Sequence, residues 1–107
     1  MAQLKEIRQR IRELFAPIDQ GLEEYHTAPG AMLIDVRDPD EYASGHIPGA
    51  INIPLSKIRG LSGKKEKPLF LYCLKGQRSR RAAGILRKAG YNARSIGGIN
   101  RYTGEKE

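Results

Sequence analysis

The sequence has only one cysteine, Cys73, and no run of apolar residues long enough to cross a membrane. A single cysteine excludes a disulfide within the chain and a zinc site built from several cysteines. If Cys73 is reactive, it must therefore pass sulfur or electrons to another molecule. Aromatic residues make up only 7% of the chain, which leaves few side chains for stacking on nucleic-acid bases. We find no cluster of metal ligands and expect neither a metal nor a cofactor.

Length and composition are those of one globular domain, with 107 residues of which 39% are hydrophobic and 29% are charged. The formal net charge of +7 favours anionic partners, either small oxyanions or polyanions. A solvated basic surface explains the same charge more simply. Composition alone therefore indicates a globular protein without naming its function.

Residues 1–16 are expected to form an amphipathic helical extension. Its apolar residues recur at helical spacing between charged ones: Leu4, Ile7, Ile11 and Leu14. The helix is predicted over residues 3–15 and ends before Pro17. Charged residues interrupt the apolar stretch that a secretory signal needs, so we expect a cytoplasmic protein. The domain is expected over residues 17–103, followed by a charged tail at 104–107.

Short apolar runs predict the strands of the domain, at residues 32–36, 50–53, 68–73 and 92–96. The run from Pro68 to Cys73 is apolar on both faces, which is typical of a central strand covered by helices on either side. Helical patterns lie between the strands. They predict a helix at about 20–26 capped by Asp19, a short helix ending at Gly45, a helical turn at 55–61, and a longer helix from about Ser79 to Gly90. Together they predict an α/β domain with a mainly parallel sheet.

The loop after Cys73 carries the chemistry. Ligands of open α/β sheets bind beyond the carboxyl ends of the strands, and Cys73 stands at such an end. The following residues must curl toward the next helix, so their backbone N–H groups converge near the sulfur as an anion-binding nest. Gly76 permits a positive φ in this curl, and Lys75 and Arg78 add positive charge. Such donors favour a thiolate over a thiol, so we expect Cys73 to be a nucleophile rather than an inert buried residue.

A cysteine phosphatase is the main competing interpretation, because those enzymes also hold a cysteine in a strand–loop–helix cradle. Their arginine would fall at the position of Ser79, whereas Arg78 comes one residue earlier. The loop is therefore tighter, and a tight cradle admits a sulfur atom more readily than a tetrahedral phosphate. The spacing disfavours a phosphatase.

Two separated segments resemble the rhodanese family: LIDVRDPDEYASGHIPGAINIPL, and LYCLKGQRSRRAAGILRKAGY followed by GGI. The first is similar to the family's early signature and the second to its active loop. The resemblance implies a rhodanese-like, doubly wound, mainly parallel sheet flanked by helices, in which we expect five strands. It also implies transfer of sulfane sulfur through a cysteine persulfide. The six-residue loop from Cys73 to Arg78 resembles the sulfurtransferase form of the family rather than its phosphatase and arsenate-reductase forms.

Position in the matching motif implies a role for each loop residue. Cys73 is the nucleophile that attacks the outer sulfur of a donor such as thiosulfate and becomes a persulfide. Lys75 is expected to attract the charged end of the donor, and Arg78 to orient the loop. The amides that hold the donor and the persulfide are those of Leu74, Lys75, Gly76, Gln77, Arg78 and Ser79.

Four residues of the first motif are interpreted mainly as structural. We expect Asp35 to support the loop from a neighbouring strand end, and Arg37 to pair with Glu41 across a helical turn. His46 precedes a turn, where we expect it to be hydrogen bonded rather than to act as a base.

Three functions remain to be distinguished. The first is a thiosulfate sulfurtransferase that moves sulfur from a small anionic donor to an external thiol or cyanide. The second is a persulfide carrier that serves a partner protein, receives sulfur from a donor protein and has little activity toward free thiosulfate. Nucleic-acid binding through the basic helix after the loop is the least favoured, because no recognised motif accompanies it.

Overall fold

The computed structural model describes residues 18–107, together with Ile7 alone from the segment before them. The N-terminal helix expected over residues 3–15 lies outside the described residues. The helices are α1 (Ile18–Thr27), α2 (Pro39–Ala43) and α3 (Gln77–Lys88), with 3-10 helices at Leu55–Gly60 and Ile99–Arg101. The strands are β1 (Met32–Asp35), β2 (Ile51–Asn52), β3 (Leu69–Cys73) and β4 (Ala93–Gly98).

The sheet is parallel throughout, and its strands lie in the order β2-β1-β3-β4. The predicted central strand is confirmed as β3, whose five residues are all buried between β1 and β4. The described residues form four strands rather than the five expected. None of the described helices is both long enough and apolar enough to cross a bilayer.

Alternate residues of β3 enter two different cores, as expected of a strand covered on both faces. Leu69, Leu71 and Cys73 belong to the core that contains α3 residues such as Leu86. The other core contains Phe70 and Tyr72 together with Ile18 and Leu22 of α1. The side chain of Cys73 therefore lies on the sheet face that α3 covers.

Glycines set both ends of α3. Gly76 precedes the helix with a φ of 103°, so the helix begins at Gln77, slightly earlier than the predicted start near Ser79. At the other end Gly90 has a φ of 96°, and the N–H of Tyr91 donates to the carbonyl oxygen of Leu86 at 3.0 Å. This is a Schellman arrangement, in which glycine adopts the left-handed conformation at least cost. The first turn of α3 is thereby held at the carboxyl end of β3.

Candidate active site

The sulfur of Cys73 lies in a cradle of backbone donors. Cys73 ends β3 and is only 1% exposed. Its Sγ accepts the N–H of Gly76 at 3.0 Å and the N–H of Ser79 at 3.4 Å. Both donors belong to the turn that enters α3, so the positive end of the helix dipole faces the same atom. Backbone N–H groups that converge on one point form an anion-binding nest, and Sγ lies at that point.

The other loop residues form the outer surface of this cradle. Leu74, Lys75 and Gln77 are exposed, whereas Gly76 is buried beneath them. No hydrogen bond between the described residues joins the amides of Leu74, Lys75, Gln77 or Arg78 to the sulfur. Those amides therefore remain candidates for a bound substrate rather than ligands of Cys73 itself.

The end of β4 supports the loop from behind. The N–H of Asn100 donates to the carbonyl oxygen of Leu74 at 3.1 Å. A Cβ placed on Gly98 would lie 2.7 Å from the Cα of Lys75 and 2.6 Å from the side-chain oxygen of Asn100, and still closer to the carbonyl oxygen of Leu74. The loop therefore packs directly on the Gly98 backbone, which has no room for a side chain.

A second polar layer lies beneath the sulfur. The hydroxyl oxygen of Ser79 is 3.6 Å from the Cys73 Sγ and 2.6 Å from the hydroxyl oxygen of Ser95. Both serines are buried, at 0% and 1% exposed. The pairing of β3 with β4 shifts register between Leu71 and Tyr72, just after Ser95 pairs with Leu71. Sequence reasoning missed Ser95; a small polar residue at an inward position of an otherwise buried strand is the signal that marks it.

Arg78 points to helix α2 instead of the sulfur. Its guanidinium donates to both carboxylate oxygens of Glu41, at 2.6 and 3.0 Å. These bonds lower the pKa of Glu41 to about 2 and raise the pKa of Arg78. The expected pairing of Arg37 with Glu41 is therefore wrong. Arg78 reaches Glu41 from the opposite motif, and Arg37 is occupied elsewhere.

Arg37 binds Asp35 in a buried ion pair. Its Nε and Nη2 donate to the Asp35 carboxylate, the closest approach being 2.7 Å, and its Nη2 also donates to the carbonyl oxygen of Gly45 at 2.7 Å. Asp35 is completely buried and needs a counter-ion, which the chain supplies two residues later. No hydrogen bond among the described residues joins Asp35 to the Cys73 loop. The pair instead fixes the turn from β1 to α2, so the direct support expected of Asp35 is absent.

His46 is held in its turn. Its Nδ1 lies 3.0 Å from the carbonyl oxygen of Tyr42, and its ring stacks on that of Tyr42 with centroids 3.7 Å apart. The backbone of His46 also exchanges two hydrogen bonds with Glu107, which places the charged tail against this turn. Within residues 18–107, no group of three or more His, Cys, Asp and Glu side chains is arranged to hold a metal ion.

Comparison with known proteins fits this architecture. The family model described as the rhodanese-like domain matches residues 18–105. The chain belongs to the rhodanese-like family. A rhodanese-like domain protein from Staphylococcus aureus superimposes with a TM-score of 0.74 at 28% identity, covering 86% of this chain and 94% of that one. The rhodanese fold expected from the resemblance is thereby confirmed.

Curated relatives support the same assignment. The chain is 46% identical over 81 residues to the uncharacterized protein YqhL of Bacillus subtilis, covering 70% of this chain and 63% of that protein. It is 36% identical over 94 residues to the human thiosulfate:glutathione sulfurtransferase, covering 72% of this chain and 82% of that protein. Other matched relatives are named as sulfurtransferases or as a putative sulfur carrier. The rhodanese-like chain spans 63%, 17%, 43% and 58% of the length of the first four curated relatives.

Proposed function

We propose that the chain is a thiosulfate sulfurtransferase-type transferase that carries sulfane sulfur as a persulfide on Cys73. Its donor is thiosulfate or a related small anion, and its acceptor is an external thiol or cyanide. The observation that carries this proposal is the convergence of the Gly76 and Ser79 N–H groups on the buried Sγ. The names of matched relatives, which include sulfurtransferases acting on thiosulfate, support the same chemistry.

In the first step the Cys73 thiolate attacks the outer sulfur of thiosulfate. A bond forms between Sγ and that sulfur, while the sulfur–sulfur bond of the donor breaks and its electron pair leaves with sulfite. No oxidant or reductant is needed, because the outer sulfur of thiosulfate is already sulfane sulfur and moves to the thiolate without the bonding pair that sulfite keeps. The product is a persulfide anion, whose negative charge lies where the unused loop amides can receive it.

In the second step the acceptor attacks the outer sulfur of the persulfide. Cyanide leaves as thiocyanate, whereas a thiolate becomes a persulfide of its own. The bond between the two sulfur atoms of the enzyme breaks, and its electron pair returns to Sγ. The Gly76 and Ser79 amides then stabilise Sγ as the departing thiolate, so the same donors serve both steps.

Lys75 is the charged group of the loop that remains available to a donor. It is exposed beside the cradle, whereas the charge of Arg78 is held by Glu41. A dianionic donor approaching the loop is attracted by Lys75 and by the overall charge of +7. Arg78 fixes the first turn of α3 and thereby the direction of the Ser79 amide.

Steady-state transfer of sulfur from thiosulfate to cyanide, followed as thiocyanate, tests the proposed function. Purified protein is expected to form thiocyanate catalytically, and Cys73→Ser is expected to abolish the reaction while unfolding at the same urea concentration as the unchanged protein. Thiocyanate formation that persists in Cys73→Ser would overturn the assignment.

A persulfide carrier is the second candidate, and one observation favours it. The sulfur is almost fully buried, while Leu74 directly beside it is 39% exposed. An exposed apolar side chain at the rim offers a contact to a protein surface rather than to a small anion. The carrier function predicts that Cys73 takes sulfur from a cysteine desulfurase or another donor protein but not from free thiosulfate. Formation of the Cys73 persulfide with thiosulfate alone would favour the thiosulfate sulfurtransferase over the carrier.

A further inference from the structure

The hydroxyl groups of Ser79 and Ser95 are buried beside the sulfur of Cys73, and few hydrogen-bond acceptors lie within reach of their protons. The Ser79 hydroxyl oxygen is 3.6 Å from Sγ, 3.1 Å from the carbonyl oxygen of Gly76 and 3.5 Å from that of Gly97. The Ser95 hydroxyl oxygen is 2.6 Å from that of Ser79 and accepts the N–H of Gly97 at 3.3 Å. Neither side chain reaches solvent.

The direction of the bond between the two serines follows from these contacts. Within the described residues, the Ser79 oxygen is the acceptor that the Ser95 proton reaches. A buried hydroxyl proton without an acceptor is costly, so Ser95 donates to Ser79. The Ser79 oxygen then accepts from Ser95, and its own proton points away from Ser95, toward Sγ or toward a carbonyl oxygen, of which that of Gly76 is nearer than that of Gly97.

We propose that Ser95 is a positioning residue for sulfur transfer, which orients the Ser79 hydroxyl as a third hydrogen-bond donor to the ionised Sγ of Cys73. When Cys73 is a thiol, its S–H donates to the Ser79 oxygen and the Ser79 proton rests on the Gly76 carbonyl. When Cys73 ionises, the Ser79 O–H turns to Sγ while the bond from Ser95 persists. The hydroxyl thus follows the charge of the sulfur without movement of the backbone.

The position of this donor has a chemical consequence, which rests on the proposed function. The Ser79 hydroxyl is completely buried, whereas Leu74 and Lys75 of the loop are exposed, so the proposal assigns its contact to Sγ rather than to the outer sulfur of a persulfide. In the second step Sγ is the leaving atom. A donor at that atom stabilises the leaving thiolate and accelerates discharge of sulfur to the acceptor.

The charged groups around Sγ are accounted for separately. Arg78 interacts electrostatically with Cys73 and is held by Glu41, while Lys75 lies exposed in the same loop. The guanidinium of Arg80 lies beside Gly76, with its Nη1 3.3 Å from where a Cβ on that glycine would stand. At the end of β1, Asp35 and Arg37 neutralise each other. The β4 residues that pair with the end of β3 are Ser95, Gly97 and Gly98, which carry no charge. Substitution of either serine therefore leaves every charge in place.

The pH dependence of Cys73 alkylation by iodoacetamide tests the proposal, because it reports the thiolate in the absence of any sulfur donor. Ser79→Ala is expected to move the midpoint of the rate profile upward by about one pH unit, a tenfold lower thiolate-to-thiol ratio at a given pH. Ser95→Ala is expected to move it by about half a unit, or roughly threefold. Ser95→Thr keeps the hydroxyl, so its midpoint should stay near that of the wild-type protein. Ser56→Ala, at an exposed serine, is the matched control.

The double variant separates positioning from a general structural role. If Ser95 acts through Ser79, then Ser95→Ala adds nothing to Ser79→Ala. An unchanged midpoint in Ser79→Ala would overturn the proposal, as would a Ser95→Ala shift that persists undiminished in the Ser79→Ala background. Should Ser95→Ala fail to fold, Ser79→Ala alone decides whether the hydroxyl reaches the sulfur. Failure of the proposed function would give a different result. The serine variants would show the expected shifts of the alkylation midpoint, but the wild-type protein would form no persulfide with thiosulfate.

Discussion

The guanidinium of Arg78 donates two hydrogen bonds, of 2.6 and 3.0 Å, to the carboxylate of Glu41 and so joins the Cys73 loop to helix α2. The two residues come from different sequence motifs and meet because the carboxyl ends of β1 and β3 are adjacent in the parallel sheet. Each side chain is about one-third exposed, so the pair contributes modestly to overall stability. Its main effect is local, since it fixes the turn of α3 that supplies the Ser79 amide.

The first prediction concerns acid stability. Arg78 lowers the pKa of Glu41 from its usual 4.5 to about 2, so the folded state binds this proton less readily than the unfolded chain. The pair's contribution is fully present above pH 4.5 and is lost as the pH falls toward 2. We expect the free energy of unfolding, measured in urea, to fall less steeply over this range in Glu41→Gln. The control is Glu24→Gln on α1, which breaks the ion pair of that side chain with Arg94 of β4. Parallel curves for the wild-type protein and Glu41→Gln would contradict the prediction.

The second prediction concerns the close approach of β4 to the loop. Gly98→Ala places a methyl group against the backbone of Leu74 and Lys75, which cannot move without displacing the cradle. We expect loss of sulfur transfer and destabilisation of about 1–3 kcal/mol. Gly84→Ala in α3 is the matched control, because its added methyl meets nothing within 4 Å and alanine favours a helix by about 1 kcal/mol. Full activity in Gly98→Ala would mean that the loop does not depend on this packing.

The third prediction concerns Lys75. Lys75→Gln removes an exposed charge beside the cradle and leaves the sulfur and its two amide donors in place. We expect a higher KM for thiosulfate with little change in kcat, and a difference that shrinks as salt is added because exposed charges are screened. Lys57→Gln changes the net charge equally on the exposed 3-10 helix and should leave KM nearly unchanged. Equal effects of the two variants would indicate that only net charge matters.

The fourth prediction concerns the buried pair of Asp35 and Arg37. Arg37→Ala leaves a fully buried carboxylate without its counter-ion, which typically costs about 3–5 kcal/mol. Because the pair makes no hydrogen bond to the loop, kcat per folded molecule should change little. Equilibrium urea unfolding together with kcat measured well below the unfolding transition checks both statements. Unchanged stability with lost kcat would reverse the assignment of this pair from structural to functional.

The features that depend only on residues close together in the chain, such as buried strands and glycine turns, are predicted well from the sequence. The apolar run at residues 68–73 became the buried strand β3, and the glycines expected to end or admit turns adopt positive φ at Gly76 and Gly90. These features follow from local chemistry, since burial of both faces and freedom from a Cβ are properties of the residues themselves. The same reasoning predicts Cys73 at a strand end, where the structure has it.

Pairings across the fold were not predictable in the same way. Arg37 and Glu41 stand at helical spacing and could pair with each other. In the structure Arg37 instead pairs with the buried Asp35, and Glu41 pairs with Arg78. Sequence alone does not say which of several nearby charges will be desolvated, and that decides the partners. Ser95 was missed because its role depends on the register shift between β3 and β4. The expected fifth strand came with the family resemblance and has no apolar run of its own in the described residues.

The central claim is that Cys73 accepts a sulfur atom into a cradle of backbone amides, and intact-protein mass spectrometry after exposure to thiosulfate tests it most directly. The account predicts a gain equal to the mass of one sulfur atom, located on the peptide containing Cys73 and removed by cyanide. The gain should be absent in Cys73→Ser. A protein whose mass stays unchanged under thiosulfate, although its thiol is free and its fold intact, would contradict the account.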